Sequence, residues 1–177
     1  MIVTLVGMMG SGKSTVGKLI AEKLGYEFYD TDNLIIKKTG REINDIFKLN
    51  GEGYFRELEK NIIIELYNKK NVDMVIATGG GAILSENNRN IILNNSSVYW
   101  LNIETEKLAD RLYKNEDRPL IKDYKNEREE LINHLDKILN DRIEYYQIGQ
   151  EIDGDRKPSE IAREIINDIR GEVDIIE

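Results

Sequence analysis

The segment Gly7-Met8-Met9-Gly10-Ser11-Gly12-Lys13-Ser14 constrains this chain more than any other. It fits the pattern G-x-x-x-x-G-K-[ST], directly after the apolar run Ile2-Val3-Thr4-Leu5-Val6 and at the start of a helical pattern from Lys13 to Leu24. A short β-branched run stopped by glycine reads as a strand buried on both faces, which makes it a central parallel strand. In the helical stretch, Val16, Leu19, Ile20 and Leu24 share one face, and Gly25 supplies a stop. The glycines let the backbone curl so that successive N–H groups point at phosphate oxygens. The helix N-terminus adds about half a positive charge at the same spot. In such a cradle Lys13 reaches the β and γ phosphates, and the Ser14 hydroxyl is a Mg²⁺ ligand. The motif specifies a nucleoside triphosphate but no reaction, because switches, motors and small-molecule kinases share it.

The rest of the chain alternates in the same style. Phe28-Tyr29, Met74 to Ala77, Val98 to Leu101 and Ile148 to Ile152 read as further strands. Helical spacing marks Leu34 to Lys38, Ile43 to Leu49, Gly53 to Tyr67, Glu104 to Leu112, about Glu127 to Tyr146, and Pro158 to Ile169. This order predicts an α/β protein: a three-layer α/β/α fold around a five-stranded parallel sheet, of the P-loop, nucleoside-monophosphate-kinase-like kind. With 177 residues, no repeat and no linker, one domain over 1–170 is expected. Within it, 31–61 forms the acceptor region and the polar stretch 112–125 a lid. The acidic tail 171–177 is expected to fray.

Charge and composition exclude several classes. A net charge of −8 argues against nucleic acid as partner, since such binders cluster Lys and Arg on one face. The absence of cysteine and the lone histidine, His134, leave no thiolate or zinc cluster, so a metal here is held by oxygen. The run before Gly7 is far too short for a signal h-region or a membrane span, which points to a cytoplasmic protein with no membrane partner.

The acceptor of the phosphate has to be read from residues at the strand ends, where open α/β sheets bind ligands. Asp30-Thr31-Asp32 closes the second strand. One carboxylate there accepts a hydroxyl proton or holds the hydroxyl in line, and the other orients waters on Mg²⁺; a pair of solvated turn acids is the plainer alternative. Gly51-Glu52-Gly53-Tyr54-Phe55-Arg56 opens a long helix with one arginine, whose planar fork suits a carboxylate, or simply a surface charge. Thr78-Gly79-Gly80-Gly81-Ala82 follows the third strand and leaves backbone N–H groups for a ligand.

These elements, taken in order with Gly40, Ile46-Phe47 and Arg118-Pro119-Leu120, resemble the shikimate kinases from residue 2 to about residue 170. The resemblance implies ATP and shikimate as substrates, Mg²⁺ as cofactor and a monomer. It implies that Gly10, Ser11, Gly12, Lys13, Ser14 and Thr15 contact ATP, with Asp30 near the metal through water. Asp32 becomes the base, Arg56 and Arg142 the carboxylate clamp, Gly80 and Gly81 contacts to the ring substituents, and Phe47 and Phe55 the pocket wall. Arg118 lies on the lid against the transferring phosphoryl group, and Arg111 and Arg156 flank the adenine. After Arg142 this chain has Ile143-Glu144-Tyr145-Tyr146 where the family usually places a proline and a leucine before the tyrosine. Two other readings compete: a kinase of the same architecture for gluconate or a nucleoside monophosphate, and a non-catalytic nucleotide switch with an apolar partner patch.

Overall fold

The computed structural model describes residues 1–113 and 127–171. Its centre is β1 (Ile2–Val6), paired in parallel with β3 (Met74–Ala77) on one side and β4 (Ser97–Asn102) on the other. Outside these lie β2 (Glu27–Asp30) and β5 (Gln150–Asp153), also parallel, so the strand order is β2-β3-β1-β4-β5. Leu5 and Asp30 both pair with Ala77. That register brings Gly7, Asp30 to Asp32 and the triple glycine out together at the carboxyl ends of the strands.

Side chains alternate across a strand, and the core sorts by this parity. Val3, Leu5, Val75, Tyr99, Leu101 and Ile152 pack on one face against α1 (Lys13–Leu24) and α8 (Pro158–Arg170). On the other face, Met74 and Ile76 meet α2 (Thr31–Thr39) and α3 (Ile43–Tyr67) through Ile35, Ile62 and Leu66. Val6 and Trp100 there meet α5 (Thr105–Tyr113) and α6 (Arg128–Asn140) through Leu108, Leu131 and Leu135. Each such aliphatic side chain contributes about 1.5–3 kcal/mol by leaving water. The three-layer arrangement follows from helices covering both faces of strands that are apolar on both.

Several elements differ from the sequence-based expectation. α2 starts at once after β2, because Asp30 is its N-cap and accepts a hydrogen bond from the Asn33 N–H at 3.1 Å. The two helices expected over 43–49 and 53–67 are one element bent at Gly51 (φ 80°, ψ 170°). α4 (Glu86–Asn95) was not anticipated; its many asparagines have low helix propensity, and it forms through the Ser85 cap and the buried Asn88 side chain, which donates to the Ala82 carbonyl. The helix expected from 127 to 146 breaks after α6, and α7 (Ile143–Tyr146) restarts with Arg142 as its N-cap. β5 begins two residues later than expected. Among the described residues no helix is long and apolar enough to cross a membrane. Arg118, the expected lid from Lys114 onward and the tail after Gly171 lie outside the described residues.

Candidate active site

Two clefts open at the strand ends. The first, about 640 Å³, is lined by Gly10, Ser11, Gly12, Lys13, Ser14 and Thr15, together with Arg111 and Arg156. Gly10 and Gly12 hold φ of 80° and 92°, values that a residue with a Cβ adopts only under strain, and Gly12 is the N-cap of α1. Lys13 is folded onto its own loop: its Nζ donates to the Gly7 and Met8 carbonyls at 2.8 Å each and to Ser11 Oγ at 3.3 Å. The ammonium thus sits inside the cradle that the N–H groups define. Arg111 donates to the Gly154 carbonyl at 3.3 Å and pairs with Asp155, while Arg156 pairs with Glu164 and Asp153. The two arginines expected beside the adenine therefore border the same cleft, each steadied by acids.

Ser14 donates its hydroxyl to Asp30 Oδ2 at the lip of this cleft. These are hard oxygen donors, and no cluster of three or more His, Cys, Asp or Glu suited to a metal occurs among the described residues. The donor set fits Mg²⁺, which keeps most of its waters, takes one or two protein oxygens and shares the phosphates.

The second cleft, about 940 Å³, lies within the size range of small-ligand sites and is lined by Phe47, Phe55, Arg56, Arg142, Gly79, Gly80 and Gly81. The Phe47 and Phe55 rings pack with centroids 4.7 Å apart, and the Arg56 guanidinium lies 5.3 Å from the Phe55 ring centre. Arg56 is spanned by two acids of its own helix: Nη1 donates to Glu59 at 2.9 Å and Nη2 to Glu52 at 3.0 Å. A Cβ on Gly81 would stand 2.5 Å from Arg56 Nη1, so only glycine admits the guanidinium so close to the backbone. Arg142 donates to the Gly80 carbonyl at 3.3 Å, and the Gly79 N–H donates to the buried Thr31 Oγ1 at 2.8 Å. Among the described residues no acceptor takes the N–H of Gly80 or Gly81. Met9, Asp32 and Gly80 line both clefts, so the carboxylate of Asp32 stands where the two meet.

Sequence reasoning passed over Glu59 and Thr31. Glu59 is 1% exposed, and its Oε1 has no hydrogen-bond partner among the described residues. Burial pushes its carboxyl up to about 7; the charge and hydrogen bond of Arg56 pull the other way, Asp32 adds to the rise, and Arg142 opposes it. The signal was the spacing Glu52, Arg56, Glu59, which puts all three on one helix face. The fold holds this proton more tightly than the unfolded chain does. Between about pH 4.5 and about pH 7 the unfolded state has released the proton and the folded state has not, so stability falls as pH rises through that window. Melting temperatures of the wild type should therefore decline across it relative to Glu59→Gln, whereas parallel curves would show that Glu59 does not titrate there.

The family model for shikimate kinase matches residues 9–170. The chain belongs to the shikimate kinase family. A shikimate kinase from Sulfurihydrogenibium sp. is 42% identical over 168 residues, which covers 94% of this chain and 96% of the relative. The solved shikimate kinase of Acinetobacter baumannii, in complex with shikimate, superposes with a TM-score of 0.86 at 35% identity, covering 96% of this chain and 93% of that one. A gluconokinase from Sinorhizobium meliloti has a TM-score of 0.57 at 20% identity over 96% of this chain and 91% of its own, a likeness of fold alone. As a shikimate kinase the chain is an ATP-dependent phosphotransferase, and the expected α/β fold with a five-stranded parallel sheet is the one it has.

Proposed function

We propose that this shikimate kinase transfers the γ-phosphoryl group of ATP to the 3-hydroxyl of shikimate through the residues gathered at the two clefts. One observation carries the assignment of roles: an acceptor cleft with two arginines, open glycine N–H groups and Asp32 shares a wall with the phosphate cradle. Arg56 and Arg142 grip the acceptor carboxylate, Gly80 and Gly81 donate to ring substituents, and Phe47 and Phe55 cover the ring. Asp32 takes the proton of the attacking hydroxyl as its oxygen bonds to phosphorus and the bond to the ADP oxygen breaks. Lys13 and the N–H groups of Gly10 to Thr15 hold the phosphates. Mg²⁺, held by Ser14 and through water by Asp30, supplies positive charge to the phosphate oxygens when bound. Arg111 and Arg156 flank the adenine. The family resemblance assigns Arg118, outside the described residues, to the transferring group.

On this reading residues 1–170 act as one kinase domain, with 31–61 as the acceptor region, in a cytoplasmic monomer that engages neither nucleic acid nor membrane. The test is ADP release with Mg·ATP and shikimate beside gluconate and nucleoside monophosphates. Shikimate alone should raise turnover strongly above the water-driven background. Equal or greater stimulation by another acceptor would sink the assignment.

A further inference from the structure

Tyr146 ends α7 and is completely buried, stacked on Trp100 with ring centroids 6.0 Å apart and planes 13° from parallel. Its Oη donates to the Gly80 carbonyl at 2.5 Å, the same oxygen that Arg142 reaches at 3.3 Å. The phenol remains a donor at neutral pH: burial pushes it up to about 12, although the charge and hydrogen bond of Arg142 pull it down. A Cβ on Gly80 would lie 3.3 Å from the Met9 backbone nitrogen, so glycine lets the two backbones approach closely there.

The peptide joining Gly80 to Gly81 is planar and trans, so the Gly80 carbonyl and the Gly81 N–H point in opposite directions. Whatever fixes that oxygen aims that N–H. Tyr146 holds the oxygen from within the core, outside the lining of the acceptor cleft, whereas Gly81 lines the cleft beside Arg56. The Gly81 N–H is thereby turned away from Tyr146. Of the two donors on the carbonyl, Arg142 has the longer contact and is the one an acceptor carboxylate would recruit. Once Arg142 turns to the acceptor, the tyrosine hydroxyl is left to hold the peptide.

We propose that Tyr146 is a positioning residue for acceptor binding, its hydroxyl clamping the Gly80 carbonyl so that the Gly81 N–H is presented to the acceptor. This rests on the reading of the second cleft as the shikimate site. It assigns a role in substrate affinity to a residue that touches neither substrate.

The test starts from the wild type, whose shikimate-dependent ADP release is measured first; its absence overturns the site reading and this proposal together. With activity established, Tyr146→Phe removes the hydroxyl and keeps the ring on Trp100. The KM for shikimate should rise about fivefold to tenfold, the effect of losing one hydrogen bond that holds a donor in place, while the KM for ATP stays within about twofold. Two further side chains at 146 separate positioning from packing. 4-Methylphenylalanine fills the space without a donor and should reproduce the Phe effect, whereas 4-aminophenylalanine restores a donor and should return the shikimate KM towards the wild-type value. An unchanged shikimate KM in the Phe and methyl variants, an equal rise in the KM for ATP, or failure of the amino variant to rescue would each overturn the proposal and leave the site reading intact.

Discussion

Asp32→Asn should lower kcat about 10²- to 10⁴-fold, the range for loss of a positioned proton acceptor, with the KM for shikimate changed no more than about threefold. Asparagine keeps the size and an oxygen acceptor but cannot take up a proton. Asp32 lies in the first turn of α2, where the helix N-terminus stabilises negative charge, and its carboxylate borders both clefts. A Cβ on Gly79 would stand 2.6 Å from Asp32 Oδ1 and 2.8 Å from Glu59 Oε1, so the two acids crowd one small volume. The coupled ADP-release assay separates the outcomes. A kcat within about tenfold of the wild type would mean that Asp32 only holds the hydroxyl, and that transfer runs on alignment and charge alone.

Arg56→Ala should raise the KM for shikimate by about 10²-fold, as expected when a charge-assisted, two-pronged contact is lost. Arg56→Lys should recover little of this, because an ammonium cannot present two parallel donors. Arg56 is about one-quarter exposed, whereas Glu59 is almost fully buried, so removing the arginine strands an acid in the interior. The Ala variant should therefore also melt at a lower temperature than the wild type, and Arg56→Ala combined with Glu59→Gln should regain that loss without regaining shikimate affinity. Recovery of affinity in the double variant would refute direct contact between Arg56 and the acceptor.

The phosphate loop was legible because its chemistry is local: strand, turn and helix lie within two dozen residues and each has its own pattern. The expectation of a parallel sheet was met for the same reason. What escaped was set by contacts distant in sequence. Nothing near Tyr146 indicates that its hydroxyl meets a carbonyl 66 residues away, and nothing near Thr31 indicates that it receives the N–H of Gly79, 48 residues on. α4 was missed because asparagine-rich composition masks a helix made by its cap and by packing of Ile92. Glu59 lay within reach, since its spacing from Arg56 is helical, yet spacing alone does not say that the helix face is buried.

Among the described residues, only Met9, Asp32 and Gly80 border both clefts. On the proposed reading the nucleotide end is built on β1, α1 and the chain around β5, and the acceptor end largely on α2, α3 and the arginine before α7. On that reading the molecule is a socket and a fitting that meet at a narrow seam. A lineage, or an engineer, can rebuild the fitting for a new alcohol while leaving the socket untouched, so long as three junction residues keep their places.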